Sequence, residues 1–379
     1  MTDILFFSLA KHQNRYFKDI SNVLAVSSQV ITLQDLPLPS LKSLDRAVLR
    51  LDFPKLIEEK CQERQIKGKY HGVYYRLALR LEMLWVALRM QAWIKRKKPQ
   101  ALAVWNGSNR YCQLFSGLLP QEAPRFYFEN GLLPNTTTLD TKGVNFHNSV
   151  PRDGRFYQDY AATVDLADQS QAVKLIPRKP RASGQQEVAL PERFFFIPFQ
   201  DDRDSQVRYF SPYIRNMREL FNWARQLNQV CGIPIVLKEH PSSREQYPDL
   251  HDATHEGLFF ANGNSTQELI EKSLAVLTIN STVGLEAILL GKPVVTLGQA
   301  FYTVEGVCEH ADSLESLIEL VKRYPDWMLN SEVRLAFLHY LSNQYCVPGR
   351  WQDSGDTHLR EVARRMEKAL LGHSGSEHD

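Results

Sequence analysis

Apolar residues along this chain gather in short runs of strand length, and between those runs they recur every three or four positions. That alternation predicts a parallel α/β architecture. In the first part it predicts strands at 3–9, 30–33, 101–105 and 126–128, with helices at 11–25, 55–65, 73–97 and 110–118. The helix over 73–97 carries Leu77, Leu81, Leu84 and Leu88 at helical spacing, and Lys95, Arg96, Lys97 and Lys98 precede Pro99. Basic residues in a last turn suit the helix dipole, and a proline stops the helix. From about residue 165 to 191 the periodicity lapses into KLIPRKPRASGQQEVALPE, the composition of a linker. A second series follows, with strands at 194–199, 235–238, 258–260, 275–279 and 294–297 and helices at 213–230, 266–272 and 281–290. Helices at 313–324, 331–345 and 357–371 close the chain. The expected organisation is a Rossmann-like domain over 1–165, a linker over 166–191, a second Rossmann-like domain over 192–355, a helix over 356–372 and a frayed tail over 373–379.

Composition agrees with this picture. A chain of 379 residues favours two domains, and 43% hydrophobic residues suffice for buried cores. Forty-five basic residues against 43 acidic ones leave a net charge of +2, which argues against a protein built to coat nucleic acid. The five cysteines show no C-x-x-C spacing, so neither a disulfide framework nor a zinc knuckle is expected. The apolar stretch over 73–94 is interrupted by Arg76, Arg80, Glu82 and Arg89, which argues against a transmembrane span. The N-terminus reads as a first strand and not as a signal peptide.

In parallel α/β sheets ligands sit beyond the carboxyl ends of the strands, so the strand-to-helix junctions carry most weight. At Asn280, Ser281 and Thr282 a buried strand runs into a helix start with two hydroxyls beside it, a ready phosphate site; Glu286 follows in the same helix. An ordinary serine N-cap explains that segment equally well, and Gly284 leaves room for a ligand or for backbone. Lys238, Glu239, His240 and Pro241 leave another strand end, where the imidazole can donate to a phosphate oxygen. Gln200 and the run Asp201, Asp202, Arg203 and Asp204 leave a third. One of these carboxylates can serve as a nucleophile or base, or together they can hold a metal and a nucleotide diphosphate, or they are a solvated turn that caps the next helix. Glu129 ends a strand of the first half just before Gly131, and two carboxylates flanking one anomeric carbon are what retaining sugar chemistry needs. Arg152, in a long polar loop, can clamp a carboxylate bidentately, and Asn106 after Trp105 can line an acceptor site. Trp93 with Lys95–Lys98 is either a contact for anionic lipid or a solvated helix end.

Four segments together carry a resemblance: ENGLLPNTTTLDTKGVNFHNSVPRD, FIPFQDDRDSQ, LKEHP and LTINSTVGLEAILLGKPVVTLGQAFYTVEG, running in this order from Glu129 to Gly306. The set resembles the retaining β-Kdo glycosyltransferases of bacterial capsule and O-antigen synthesis. The resemblance implies a GT-B-like fold of two Rossmann-like domains facing a cleft, the first on the acceptor side and the second binding the CMP-sugar. It implies CMP-β-Kdo as donor and double displacement without a metal or other cofactor. The family's Gln-x-x-x-Asp pattern falls on Gln200 and Asp204, which makes Asp204 the expected nucleophile and sets Gln200 beside the sugar. Its histidine-proline pair falls on His240 and Pro241, at the CMP phosphate with Lys238. Its helix start falls on Asn280, Ser281 and Thr282, with Glu286 on the donor side. Glu129 becomes the acid/base for the acceptor hydroxyl, with Arg152, Asn106 and Gly131 around sugar or acceptor.

Three rivals remain at this stage: another CMP-releasing transferase acting on CMP-sialic acid or CDP-glycerol, a metal-dependent nucleotide-sugar transferase, and a non-catalytic glycan- or nucleotide-binding protein. The expected partners are the CMP-sugar and a glycan or glycolipid acceptor, without nucleic acid. The expected location is the cytoplasm, with peripheral contact to the inner membrane or to a polysaccharide assembly complex left open.

Overall fold

The computed structural model describes residues 3–166, 186–241, 243 and 245–374. Up to residue 149 the elements run β1 (Ile4–Phe7), α1 (Lys11–Val23), β2 (Ser28–Ile31), α2 (Arg46–Leu49), α3 (Phe53–Ile66), α4 (Val73–Lys97), β3 (Ala101–Trp105), α5 (Arg110–Leu118), β4 (Arg125–Asn130) and β5 (Thr136–Asp140). The next series runs α6 (Gly154–Ala161), β6 (Phe195–Pro198), α7 (Ser205–Phe210), α8 (Met217–Cys231), β7 (Ile235–Lys238), α9 (Pro248–Asp252), β8 (Leu258–Phe260) and α10 (Thr266–Lys272). It continues through β9 (Ala275–Thr278), α11 (Thr282–Leu289), β10 (Val294–Thr296), β11 (Glu309–His310), α12 (Leu314–Lys322) and α13 (Ser331–Tyr340). The last two elements are β12 (Val347–Pro348) and α14 (Asp356–Ser374).

These elements form two compact α/β units, one of Met1–Ser149 with Tyr345–Asp379 and one of Val150–Gln344. The expected GT-B-like class is thus present as two Rossmann-like units, each built on its own sheet. In the first unit the order is β12-β5-β4-β3-β1-β2. Strands β1 to β4 run parallel, and β5 and β12 add antiparallel pairs. The second sheet, β11-β10-β9-β6-β7-β8, is parallel throughout. Helices cover both faces of such sheets, so their strands read as continuous apolar runs: Ile4–Phe7 and Ala275–Thr278 are buried at every position.

The division of the chain differs from the expected domains at two places. The first is the boundary near 165, which falls at 149/150 because α6 packs on α13. Tyr157 meets Phe337 with ring centroids 5.3 Å apart, and Phe156 meets Tyr340 at the same distance. The second is the closing segment, which returns to the first unit instead of extending the second. Val362 and Met366 of α14 join Phe17 and Ile20 of α1 in one apolar cluster, and β12 pairs with β5. Most of the expected linker (167–185) and the end of the tail (375–379) lie outside the described residues.

One lipid-contact reading is corrected. Trp93 is buried at 4% exposure, edge-on to Phe115 at 6.4 Å, because it sits on the face of α4 that packs on the first core. Lys95 is tied to Asp45 at 2.6 Å.

Candidate active site

In the second unit, β6 and β9 are neighbours while the chain passes from β6 to β7 on the opposite side. The gap between β6 and β9 is therefore a topological switch point, where parallel sheets open a crevice. Gln200 follows β6 and Asn280 follows β9, and their side chains meet there. The Gln200 amide Nε2–H donates to Asn280 Oδ1 at 2.9 Å, and the Asn280 backbone N–H donates to Gln200 Oε1 at 3.2 Å. The Asn280 Nδ2 group donates onward to the carbonyls of Gln206 (3.0 Å), Phe210 (3.2 Å) and Gln299 (3.4 Å). Both residues are buried, so these bonds replace hydration. The pair acts as a brace that holds α7 against the strand ends.

Three carboxylates follow Gln200 and each has a separate partner. Asp201 accepts the Arg203 N–H at 3.0 Å. Asp202 accepts the Met217 N–H at 2.8 Å and the Tyr247 hydroxyl at 3.1 Å, and burial pushes its pKa up. Asp204 is the N-cap of α7, accepting the Gln206 N–H at 3.0 Å, and it is the exposed one of the three. The helix-capping alternative weighed from the sequence is thus a real job of Asp204, and its position still leaves the carboxylate accessible. Among the described residues no three His, Cys, Asp or Glu side chains come together as metal ligands.

Beside β6, the end of β7 carries Lys238, whose ammonium donates to the carbonyls of Asn262 (2.7 Å) and Asn264 (2.6 Å). Burial lowers the Lys238 pKa. Lys238 therefore fastens the loop after β8. Glu239 bonds His251 at 2.7 Å. His240 follows half-buried, with Pro241 exposed in the turn beyond it. At the end of β9, Ser281 caps α11 through the Val283 N–H at 3.2 Å, Thr282 opens the helix exposed, and Glu286 lies half-buried one turn on. Gly284 has a packing reason: a Cβ there would lie 2.4 Å from the Tyr302 hydroxyl oxygen, which donates to the Ser281 carbonyl at 2.6 Å.

The remaining candidates lie elsewhere. In the first unit, Glu129 ends β4 and is clamped from two sides: Asn106 Nδ2 donates to it at 2.6 Å and the Asn130 N–H at 2.9 Å. Asn106 sits at φ 60°, in the left-handed region that asparagine tolerates, and this turns its amide back to β4. Gly131 is needed by the β4–β5 hairpin, since a Cβ would come within 1.9 Å of Thr136 Oγ1. Arg152 belongs to the second unit and donates to the Val150 carbonyl.

Sequence reasoning missed Trp351 and Asp140. Trp351 returns to the first sheet, packs edge-on to Trp105 at 4.6 Å and donates to Asn130 Oδ1 at 2.9 Å. With His12, Arg15 and Asp19 it lines a crevice of about 400 Å³, and Trp105 and Asn106 line a second of about 220 Å³ between the ends of β1 and β3. Asp140 is buried and accepts from the N–H groups of Lys142, Gly143 and Ser149 and from the hydroxyls of Ser149 and Tyr345. The run of threonines before it is a strand signal, but nothing local announces Tyr345 as its partner.

Comparison with known proteins follows the same lines. Residues 170–347, just under half the chain, match the family described as capsule polysaccharide biosynthesis protein. Protein FixF of Sinorhizobium fredii is 32% identical over 262 residues, covering 66% of this chain and 61% of FixF. The capsule polysaccharide export protein KpsS of Escherichia coli is 28% identical over 131 residues, 31% of this chain and 33% of KpsS. The matched part thus spans about three fifths of one curated relative and a third of the other. Among solved structures, Thermosulfurimonas dismutans KpsC, beta Kdo 2,7 transferase, aligns at 14% identity and a TM-score of 0.49, over 96% of this chain and 99% of that one. A Methanocaldococcus jannaschii UDP-GlcNAc 2-epimerase aligns at 11% identity and 0.37, over 98% and 99%. Nothing about chemistry follows from structural likeness at this level. Residues 170–347 are thus similar to the capsule polysaccharide biosynthesis family, in the part of the chain that holds three of the four motif segments.

Proposed function

We propose that this chain transfers Kdo from CMP-β-Kdo to a glycan acceptor of a bacterial surface polysaccharide, with retention, through a glycosyl-enzyme on Asp204. One observation carries the reading. Gln200 to Asp204, Lys238 to Pro241 and Asn280 to Thr282 emerge at the carboxyl ends of β6, β7 and β9, three adjacent strands of one parallel sheet. The family match spans all three segments, which supports a capsule glycan as the setting. The choice of Kdo and CMP comes from the motif resemblance.

In this reading the Asp204 carboxylate attacks the anomeric carbon while the bond to the CMP phosphate breaks. The acceptor hydroxyl then displaces Asp204, and its proton passes to Glu129. His240 and the N-terminus of α11 meet the charge on the leaving phosphate, a job that fixed dipoles perform without reorganising. Gln200 and Asn280 are positioning residues that hold α7, and with it Asp204, at the strand ends. CMP carries one phosphate, so no metal is assigned a role.

The test is a donor panel. Purified chain with CMP-Kdo, CMP-sialic acid or CDP-glycerol, with and without EDTA, is assayed for CMP release in the presence of candidate acceptors. The expected result is release from CMP-Kdo alone, unaffected by EDTA, and a Kdo-sized mass adduct on Asp204 when acceptor is omitted. Release from another donor only, loss of turnover in EDTA, or an adduct elsewhere would overturn it.

A further inference from the structure

The outward face of α4 breaks the usual pattern of a surface helix. Its inward face already fills the first core with Leu79, Met83, Ala87 and Met90. A helix packed on one side presents polar residues on the other. Here Tyr74 (83% exposed), Leu77 (56%), Leu81 (60%) and Trp85 (49%) face solvent instead. At 3.6 residues per turn these four lie within an arc of about 80° and span about 16 Å along the axis. Tyr70 (60% exposed) precedes the helix and lengthens the apolar surface. Contiguous exposed apolar surface of this kind marks an interaction site.

The charge around the stripe indicates what covers it. Residues 58–85 hold six cations against Glu58, Glu59, Glu63 and Glu82. Arg76 pairs with Glu58 at 2.9 Å, Lys60 and Lys67 with Glu63, and Glu82 with Arg110 at 3.1 Å, so among the described residues Arg64, Lys69 and Arg80 are the cations of this segment without a carboxylate partner. A second copy of the same face would set arginine against arginine, so self-association is disfavoured. Apolar and aromatic side chains flanked by arginine and lysine suit the boundary between acyl chains and anionic headgroups. The geometry points to the α4 face as the surface on which this chain docks to an anionic lipid bilayer. The helix lies in the plane of the interface with Tyr74, Leu77, Leu81 and Trp85 inserted, and it does not span. Docking is independent of the donor, so it stands or falls apart from the proposed transfer reaction.

Co-sedimentation of the full chain with phosphatidylcholine vesicles, with and without phosphatidylglycerol, tests this. The wild type is expected to pellet with phosphatidylglycerol vesicles, to release in high salt, and to stay largely in solution with phosphatidylcholine alone. The pair Leu81→Gln with Trp85→Gln should weaken partitioning at least about tenfold. A second pair, Tyr74→Ser with Leu77→Ser, should do the same. Both change exposed positions, so circular dichroism and thermal unfolding should match the wild type. Failure of the wild type to bind, or wild-type binding by both folded variants, would overturn the proposal. So would a wild-type dimer in sedimentation equilibrium that both variants abolish, since the face would then join copies of the chain.

Discussion

Asp204→Asn separates the two jobs placed on one carboxylate. As N-cap of α7, Asp204 accepts the Gln206 N–H at 3.0 Å from an exposed position. Asparagine caps about as well as aspartate, so Asp204→Asn is expected to shift stability by no more than a few tenths of a kcal/mol. Asp204→Ala removes the acceptor and costs about 1 kcal/mol. Both substitutions remove the anionic oxygen that attacks the sugar in the proposed reaction. Loss of a covalent nucleophile lowers kcat on the order of 10³-fold or more, about 4 kcal/mol of barrier at 1.36 kcal/mol per decade. The assay pairs CMP release at saturating donor and acceptor with thermal unfolding and CMP affinity on the same preparations. Both variants should be inactive with unchanged CMP affinity, and only the alanine variant should melt earlier. Transfer by Asp204→Asn within about tenfold of wild type would refute the nucleophile assignment, because capping would then be all that the residue does.

Three further outcomes rest on named contacts. Asp140→Ala leaves three N–H donors and two hydroxyls without their acceptor and should destabilise the first unit by about 3–5 kcal/mol in urea unfolding, whereas Asp249→Ala, which loses only an exposed surface pair with Arg218, should leave the unfolding midpoint close to that of the wild type. Asn280→Ala takes its side-chain partner from the Gln200 amide and from the carbonyls of Gln206 and Gln299, while the Phe210 carbonyl keeps the Gln299 N–H at 2.8 Å, and should cost about 2–4 kcal/mol in the same experiment; a loss below about 1 kcal/mol would argue that Asn280 does not brace α7. His358 holds the Pro348 carbonyl through Nδ1–H at 2.6 Å and accepts the Tyr16 hydroxyl on Nε2 at 2.8 Å, and burial lowers its pKa below 6.5. Below pH 6.5 the unfolded chain binds a proton that the folded chain refuses, so stability should fall as pH drops through that value. His358→Gln should show a shallower decline in melting temperature than wild type, and an equal decline would sink this assignment.

The sequence by itself determined the local elements and the ends of the strands. Helices at Val73–Lys97 and Arg110–Leu118 and strands at Ala101–Trp105 and Ile235–Lys238 match the periodic pattern to the residue, because period and capping are local properties. It also placed Gln200, Asp204, His240 and Ser281 at strand ends, since a strand-to-helix junction is written in consecutive residues. The short strands β5 and β12 and the helices α6 and α7 were not legible, because none has an apolar period long enough to stand out. Tertiary structure alone decided what depends on pairs far apart in sequence. Asp140 meets Tyr345, Gln200 meets Asn280, and Trp351 and α14 return to the first sheet. It decided, too, that Gly284 makes room for Tyr302 and Gly131 for Thr136, where a glycine in sequence says only that space is needed. The same helix pattern contained both faces of α4, and only packing showed which one, Trp93 or Trp85, was left to the solvent. Periodicity records that a residue is apolar; which neighbour removes it from water is fixed by contacts that local sequence does not encode.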